Sequence, residues 1–237
     1  MVLGKEKEEE KHGSGREGGV IYPTGYEPEM GKGKFTKHDS AVRNQLLNAI
    51  LRSRPEPGGA APGRPSVDTD LFAVMAARRS TRKFVDRPIE PEKVDKIIAA
   101  ADTAPTAGNY QGFEIFMVRG TKKKQELVGA CNGQPYVNAP LVLVFCKNPS
   151  RVKFDFSDYI LRKFAIQDAT LAAGYSQLAA QALGLSSIWI GMFDERMVMD
   201  VIGTDLVPSS LLCVGYPRQT KFPKPRRHLG DLVHVLW

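Results

Sequence analysis

Apolar residues are spaced differently on the two sides of residue 67. Over 1–67 they are sparse among a mixed charge run at Lys5 to His12, glycines at positions 13, 15, 18 and 19, and a Pro/Gly/Ala stretch from Pro55 to Pro65. Such a segment buries too little surface to build a core of its own. Asp39 to Arg54 differs: Val42, Leu46, Leu47, Ile50 and Leu51 recur at three- and four-residue spacings, which predicts an amphipathic helix with a face that must dock on something. The Pro-rich stretch after it reads as an extended linker.

From residue 68 to 237, helical and strand patterns alternate. Leu71, Val74, Met75 and Arg78 share a helix face behind the cap formers Ser66, Asp68, Thr69 and Asp70. Pro91 suits a first helical position, and Val94, Ile97, Ile98 and Ala101 continue at helical spacing. Glu114 to Arg119 alternates as a strand does, whereas Leu141 to Cys146 is a continuous apolar run, the mark of a strand buried on both faces. An alanine-rich helix with Gly174 within it is predicted over Gln167 to Leu183, its small residues suiting a central position or a subunit interface. A short strand at Ser187 to Ile190, a helix capped by Asp194 and running to about Ile202, and a core strand at Leu211 to Gly215 complete the series. The order predicts an α+β domain with a central sheet flanked by helices.

Bulk composition narrows the classes of function. A chain of 237 residues with 42% hydrophobic residues has room for one substantial domain plus an appendage. No apolar run approaches the ~20 residues of a membrane span, and the amino terminus passes directly into charged residues without the apolar stretch of a secretory signal. A cytoplasmic protein with no membrane partner is therefore expected. Cys131, Cys146 and Cys213 lack C-x-x-C spacing, and His12, His38, His228 and His234 lack the i, i+4 spacing of a helical zinc pair, so no metal is expected. The formal charge of +7 admits nucleic acid or phosphate as ligand. In the extension the charges are mixed in sign and not interleaved with aromatics, which argues against nucleic acid. Gly13 to Gly18 matches G-x-G-x-x-G, but no apolar strand precedes it, and it reads as a Gly-rich tail.

Four segments could carry chemistry. Arg78-Arg79-Ser80-Thr81-Arg82-Lys83-Phe84 ends a helix and enters an extended stretch. Its guanidinium and hydroxyl groups suit a phosphate, although basic residues closing a helix also favour its carbonyl end. Pro105, Thr106, Ala107, Asn109 and Gln111 lie in a turn-forming loop whose small residues would admit a flat ligand. In Ser187 to Met192 a strand ends in glycine, with backbone amides able to face a ligand, and Lys224-Pro225-Arg226-Arg227 again suits a phosphate.

In this order, these segments resemble the nitroreductase superfamily of flavoenzymes, over residues 68–237. The opening Arg-Arg-Ser-Thr-Arg-Lys-Phe is the most specific match. The family pattern Pro-Ser/Thr-x-x-Asn-x-Gln-Pro-Trp is met by Pro105, Thr106, Asn109 and Gln111, with Gly112 and Phe113 in place of Pro-Trp. Gln167-Asp168, Leu183-Gly184-Leu185, Trp189-Ile190-Gly191, Val214-Gly215-Tyr216-Pro217 and Lys224-Pro225-Arg226 fall where the family has them. The resemblance implies a mainly antiparallel sheet flanked by helices in an intertwined homodimer, with FMN at the subunit interface. Arg78, Arg79, Ser80, Arg82, Lys224 and Arg226 would hold the ribityl phosphate and ring edge. Pro105, Thr106, Ala107, Asn109 and Gln111 would approach the ring from the other subunit. Ile190, Gly191 and Met192 would offer backbone near flavin N5, with some relatives placing Glu-Gly where this chain has Gly191-Met192.

The implied activity is electron transfer from NADH or NADPH through flavin N5 to a small oxidised acceptor, a nitroaromatic, quinone or flavin, by ping-pong exchange. The flavin carries the chemistry, so no protein acid or base is named. Phe154, Phe156 and Tyr159 would either stack on a planar acceptor or pack in the protein interior. Relatives also perform reductive dehalogenation, flavin fragmentation or azoline oxidation. The fragmenting enzymes generally carry Arg-Arg-Asp where this chain has Arg79-Ser80. A flavin-binding module without turnover is the remaining alternative.

Overall fold

The computed structural model describes residues 70–219 and 221–236. The extension, the helix predicted over Asp39 to Arg54 and the Gly-rich segment fall outside them.

Helix α1 spans Leu71–Ala77, with the Asp70 carboxylate accepting the Ala73 N–H at 2.9 Å as its cap. Helix α2, Pro91–Asp102, begins with proline at its first turn and buries Val94, Ile97 and Ala101 as the spacing predicts. Strand β1 is Phe113–Val118, helix α3 Thr121–Ala130 and strand β2 Leu141–Lys147. The long helix α4 runs from Asp158–Ala182. Strand β3 (Ser186–Ile190), helix α5 (Glu195–Ile202) and strand β4 (Pro208–Gly215) close the order. The strands form one antiparallel sheet in the order β1-β2-β4-β3.

The apolar run of β2 explains why this sheet is central. Leu141, Leu143 and Phe145 face a core shared with α2 and α4, whereas Val142, Val144 and Cys146 face a second core with residues of α3 and α5. Side chains alternate across a strand, so a strand covered on both faces must be apolar throughout. β4 divides likewise, with Leu212 and Val214 on one side and Leu211 and Cys213 on the other. All three cysteines are buried free thiols. Burial pushes Cys131 up to about 11 and Cys146 up to about 12, and drives Cys213 upward too.

Two features depart from the sequence reading. α4 begins at Asp158 rather than Gln167, because Ile160, Phe164 and Ala165 extend the same helical face. It thereby takes Tyr159 and Phe164 into the helix. Helix α3 has no counterpart in the sequence reading, and Leu127 is the one large side chain it buries. The alanine face of α4 is buried as expected, and the Ser176 hydroxyl donates to the Ile97 carbonyl at 3.0 Å, tying α4 to α2. Gly174 does not mark close contact within this chain, for a Cβ there would meet nothing within 4 Å.

Candidate functional site

The Arg78 to Phe84 segment leaves α1 and lies along the end of the sheet. Thr81 N–H donates to the Ser187 carbonyl at 2.9 Å and Val85 N–H to the Tyr216 carbonyl at 2.8 Å, while Arg218 N–H donates to the Lys83 carbonyl at 3.0 Å. These bonds fix the arginines beside the chain that follows β4. Met75, Ala76, Arg78, Arg79, Ser80 and Arg82 line a cleft of about 600 Å³ opposite Lys221, Phe222, Lys224 and Arg226. The two basic segments, distant in sequence, thus meet as anticipated. Lys221 joins them, three residues before the Lys224 to Arg227 segment, and its ammonium donates to the Ser80 carbonyl at 3.4 Å.

The electrostatics of this cleft are those of an anion site. Among the described residues, six cationic side chains line it and no acidic one does. Burial, then the neighbouring Arg226 and Arg79 charges, lower the pKa of Arg78. Arg79 directs one terminal nitrogen to the carbonyls of Ala76 (2.5 Å) and Arg78 (2.8 Å), closing α1 as a basic helix end should. Its Nε is buried with no hydrogen-bond partner among the described residues. A buried unsatisfied donor costs about 1–3 kcal/mol.

The loop holding Pro105, Thr106, Ala107, Asn109 and Gln111 does not line that cleft. It is organised on Asp168 of α4, a side chain only 2% exposed, whose Oδ1 accepts the Ala107 N–H at 3.0 Å and whose Oδ2 accepts the Gly112 N–H at 2.9 Å. Burial raises the pKa of Asp168, and the two N–H groups oppose that shift. Sequence reasoning placed Asp168 only as part of the family resemblance. Gly112, which replaces the family's proline, has the N–H that this carboxylate accepts; proline would lack it. Gly108, Asn109 and Gln111 all have positive φ, 56°, 58° and 48°, at an order of 1 kcal/mol for each non-glycine residue. Gln111 is steadied by hydrogen bonds to Thr106 Oγ1 and to Asn109.

The aromatic residues pack over this loop. Phe154 meets Tyr110 edge-to-face at 5.2 Å between ring centroids and lies 5.4 Å from Phe156 and 6.0 Å from Phe164. Phe154 and Phe156 are half-buried in this cluster, and Tyr159 is 76% exposed. At the end of β3, the Ile190 side chain is buried, Gly191 is exposed and Met192 is 72% exposed. Neither these three residues nor the aromatics line the basic cleft. Among the described residues no group of three or more His, Cys, Asp or Glu could hold a metal ion, and no helix is long and apolar enough to cross a membrane.

Comparison with known proteins identifies the family and the fold. The family model described as "Nitroreductase family" matches residues 75–138 and 131–216. An FMN reductase [NAD(P)H] of Bacillus subtilis is 30% identical over 173 residues, 66% of this chain and 70% of that protein. A Vibrio harveyi NADPH-flavin oxidoreductase is 31% identical over 177 residues, 70% of this chain and 73% of that protein. The solved structure of the Vibrio harveyi NADPH:FMN oxidoreductase complexed with NAD+ superposes with a TM-score of 0.65 at 29% identity, covering 70% of this chain and 76% of that one. With a sheet, an ordered set of motifs and a family match that all coincide, this chain belongs to the nitroreductase family.

Proposed function

We propose that the protein is an NAD(P)H-dependent FMN oxidoreductase that works as a homodimer and passes electrons to a small oxidised acceptor, a nitroaromatic, quinone or flavin. The observation that carries this reading is the cleft that, among the described residues, six cationic side chains line without a carboxylate. That donor set fits the phosphate of FMN. Arg78, Arg79, Arg82, Lys221, Lys224 and Arg226 would hold it by charge-assisted hydrogen bonds, with the Ser80 hydroxyl as a further donor. Bound there, FMN would supply two-electron redox chemistry, with NAD(P)H as donor and the acceptor following it in ping-pong exchange.

The chain's own residues bind and orient. The Arg82 guanidinium, lining the cleft, would favour negative charge on a reduced ring held beside it. Exposed Gly191 leaves the backbone of 190–192 accessible to a ring, since a side chain at 191 would approach nothing nearer than Trp189 Nε1 at 3.8 Å. Residues 105–111 stand apart from the cleft, which supports their meeting the flavin of a second subunit. Leu71, Phe72 and Met75 of α1 and Ile166, Leu171 and Tyr175 of α4 are exposed apolar residues on neighbouring helices, a surface suited to that subunit.

The test is the visible absorption spectrum of the purified protein before and after anaerobic NADH or NADPH. About one FMN per chain that bleaches with either donor is the expected result. A colourless protein that ignores added FMN would overturn the reading.

A further inference from the structure

The buried carboxylate of Asp168 anchors the 105–111 loop and does not line the basic cleft. It lies on α4, 2% exposed, and accepts two backbone N–H groups from one loop, at Ala107 and at Gly112. Between those anchors the chain passes through three residues of positive φ, two of them not glycine. The loop is also closely packed. A Cβ on Gly108 would lie 2.5 Å from Phe154 Cζ, and one on Gly112 would lie 2.8 Å from Val152 Cγ2 and 3.0 Å from Asp168 Oδ2. A conformation of this kind persists only where its surroundings over-determine it. The group that does so must accept at two points, and an ionised carboxylate offers two acceptor oxygens with no donor among them.

We propose that Asp168 is the positioning residue that holds residues 106–112 in the conformation required to meet the flavin ring. This rests on the reading above, in which that loop approaches FMN. Its consequence is that Asp168 acts on ring binding and not on phosphate binding. The two can be separated with riboflavin, which has the ring and lacks the phosphate.

The experiment measures FMN and riboflavin affinity of the full-length apoprotein by fluorescence quenching, for wild type, Asp168→Asn and Arg226→Ala, with amide hydrogen exchange of residues 106–112 alongside. In Asp168→Asn one oxygen becomes an NH2 group facing a backbone donor, so one loop anchor is lost. The expected result is that FMN and riboflavin affinity fall by the same factor, about tenfold or more, with faster exchange in the loop. Arg226→Ala should weaken FMN alone. Wild-type affinity of Asp168→Asn for both flavins, a loss confined to FMN, or a loss with unchanged loop exchange would overturn the role.

Should Asp168→Asn not fold, Ala107→Pro removes one donor and keeps the carboxylate. Thr106, at φ −136° and ψ 156°, already has the extended backbone that proline demands of the residue before it. The same equal loss for both flavins is expected, and its absence again overturns the role. A wild-type protein that binds neither flavin overturns the proposed function and this role with it, a result distinct from a variant that binds as wild type does.

Discussion

Arg78 and Arg226 come from opposite ends of the described chain and line the same cleft, where burial and then the charge of Arg226 lower the pKa of Arg78. Like charges brought together in a folded protein cost free energy unless an anion lies between them. An anion bound between them would remove that cost.

Arg78→Ala and Arg226→Ala should each weaken FMN binding by about ten- to a hundredfold, the worth of one or two charge-assisted hydrogen bonds. Raising the salt concentration should weaken FMN binding in the wild type as well, by screening the exposed members of the cluster. Equilibrium titration with FMN measures both effects, and retention of stoichiometric FMN by both variants would refute the phosphate assignment.

Gly108→Ala should destabilise the domain by about 2 kcal/mol or more. The new methyl group would stand 2.5 Å from Phe154 and 2.8 Å from Tyr110 at a φ of +56°, so strain and steric overlap act together. Urea unfolding compares variant with wild type.

The exposed α1 surface bears on assembly. Phe72 is 78% exposed, and Phe72→Asp is expected to shift the protein from dimer to monomer in sedimentation and to lower its flavin content in step. A wild type that sediments as a monomer would count against a site shared between subunits.

Glu90 lends the fold a pH dependence. Burial works to raise its pKa, but the hydrogen bond from the Tyr216 hydroxyl at 2.5 Å, joined by the Lys93 charge, outweighs burial and holds the carboxyl at about 2. A depressed carboxylate stabilises the fold above its unfolded pKa, and the contribution disappears as pH falls from about 4.5 to about 2. Because the side chain is 39% exposed, solvent screening limits the effect to below about 1 kcal/mol. Glu90→Gln should therefore unfold at lower urea than wild type at pH 7, and the difference should shrink on acidification below about pH 4.5.

Buried thiols with raised pKa values react slowly. Cys131, Cys146 and Cys213 should resist a thiol reagent at pH 8 in the native protein, and all three should react once it is denatured. Rapid labelling of the native protein would contradict the burial described.

Much of the architecture was determined by the sequence alone, because strand and helix identity follow from local periodicity and from dihedral preferences that act within a few residues. The unbroken apolar run of β2 required cover on both faces, Pro91 and Asp194 marked helix starts, and the Arg78 to Arg82 and Lys224 to Arg226 segments stood out as anion-binding chemistry. Other features depended on which distant segments meet. The start of α4 at Asp158 rested on aromatics that pattern alone left between loop and helix. The partner of Arg79 to Arg82 across the cleft, Lys221, was one basic residue among several until the chain after β4 ran beside them. Asp168 carried no sign of its task in its neighbours on α4, since the N–H groups it accepts belong to a loop some sixty residues earlier. A carboxylate's burial and its partners are set by chain reversals that close such loops, so only the tertiary structure could decide them.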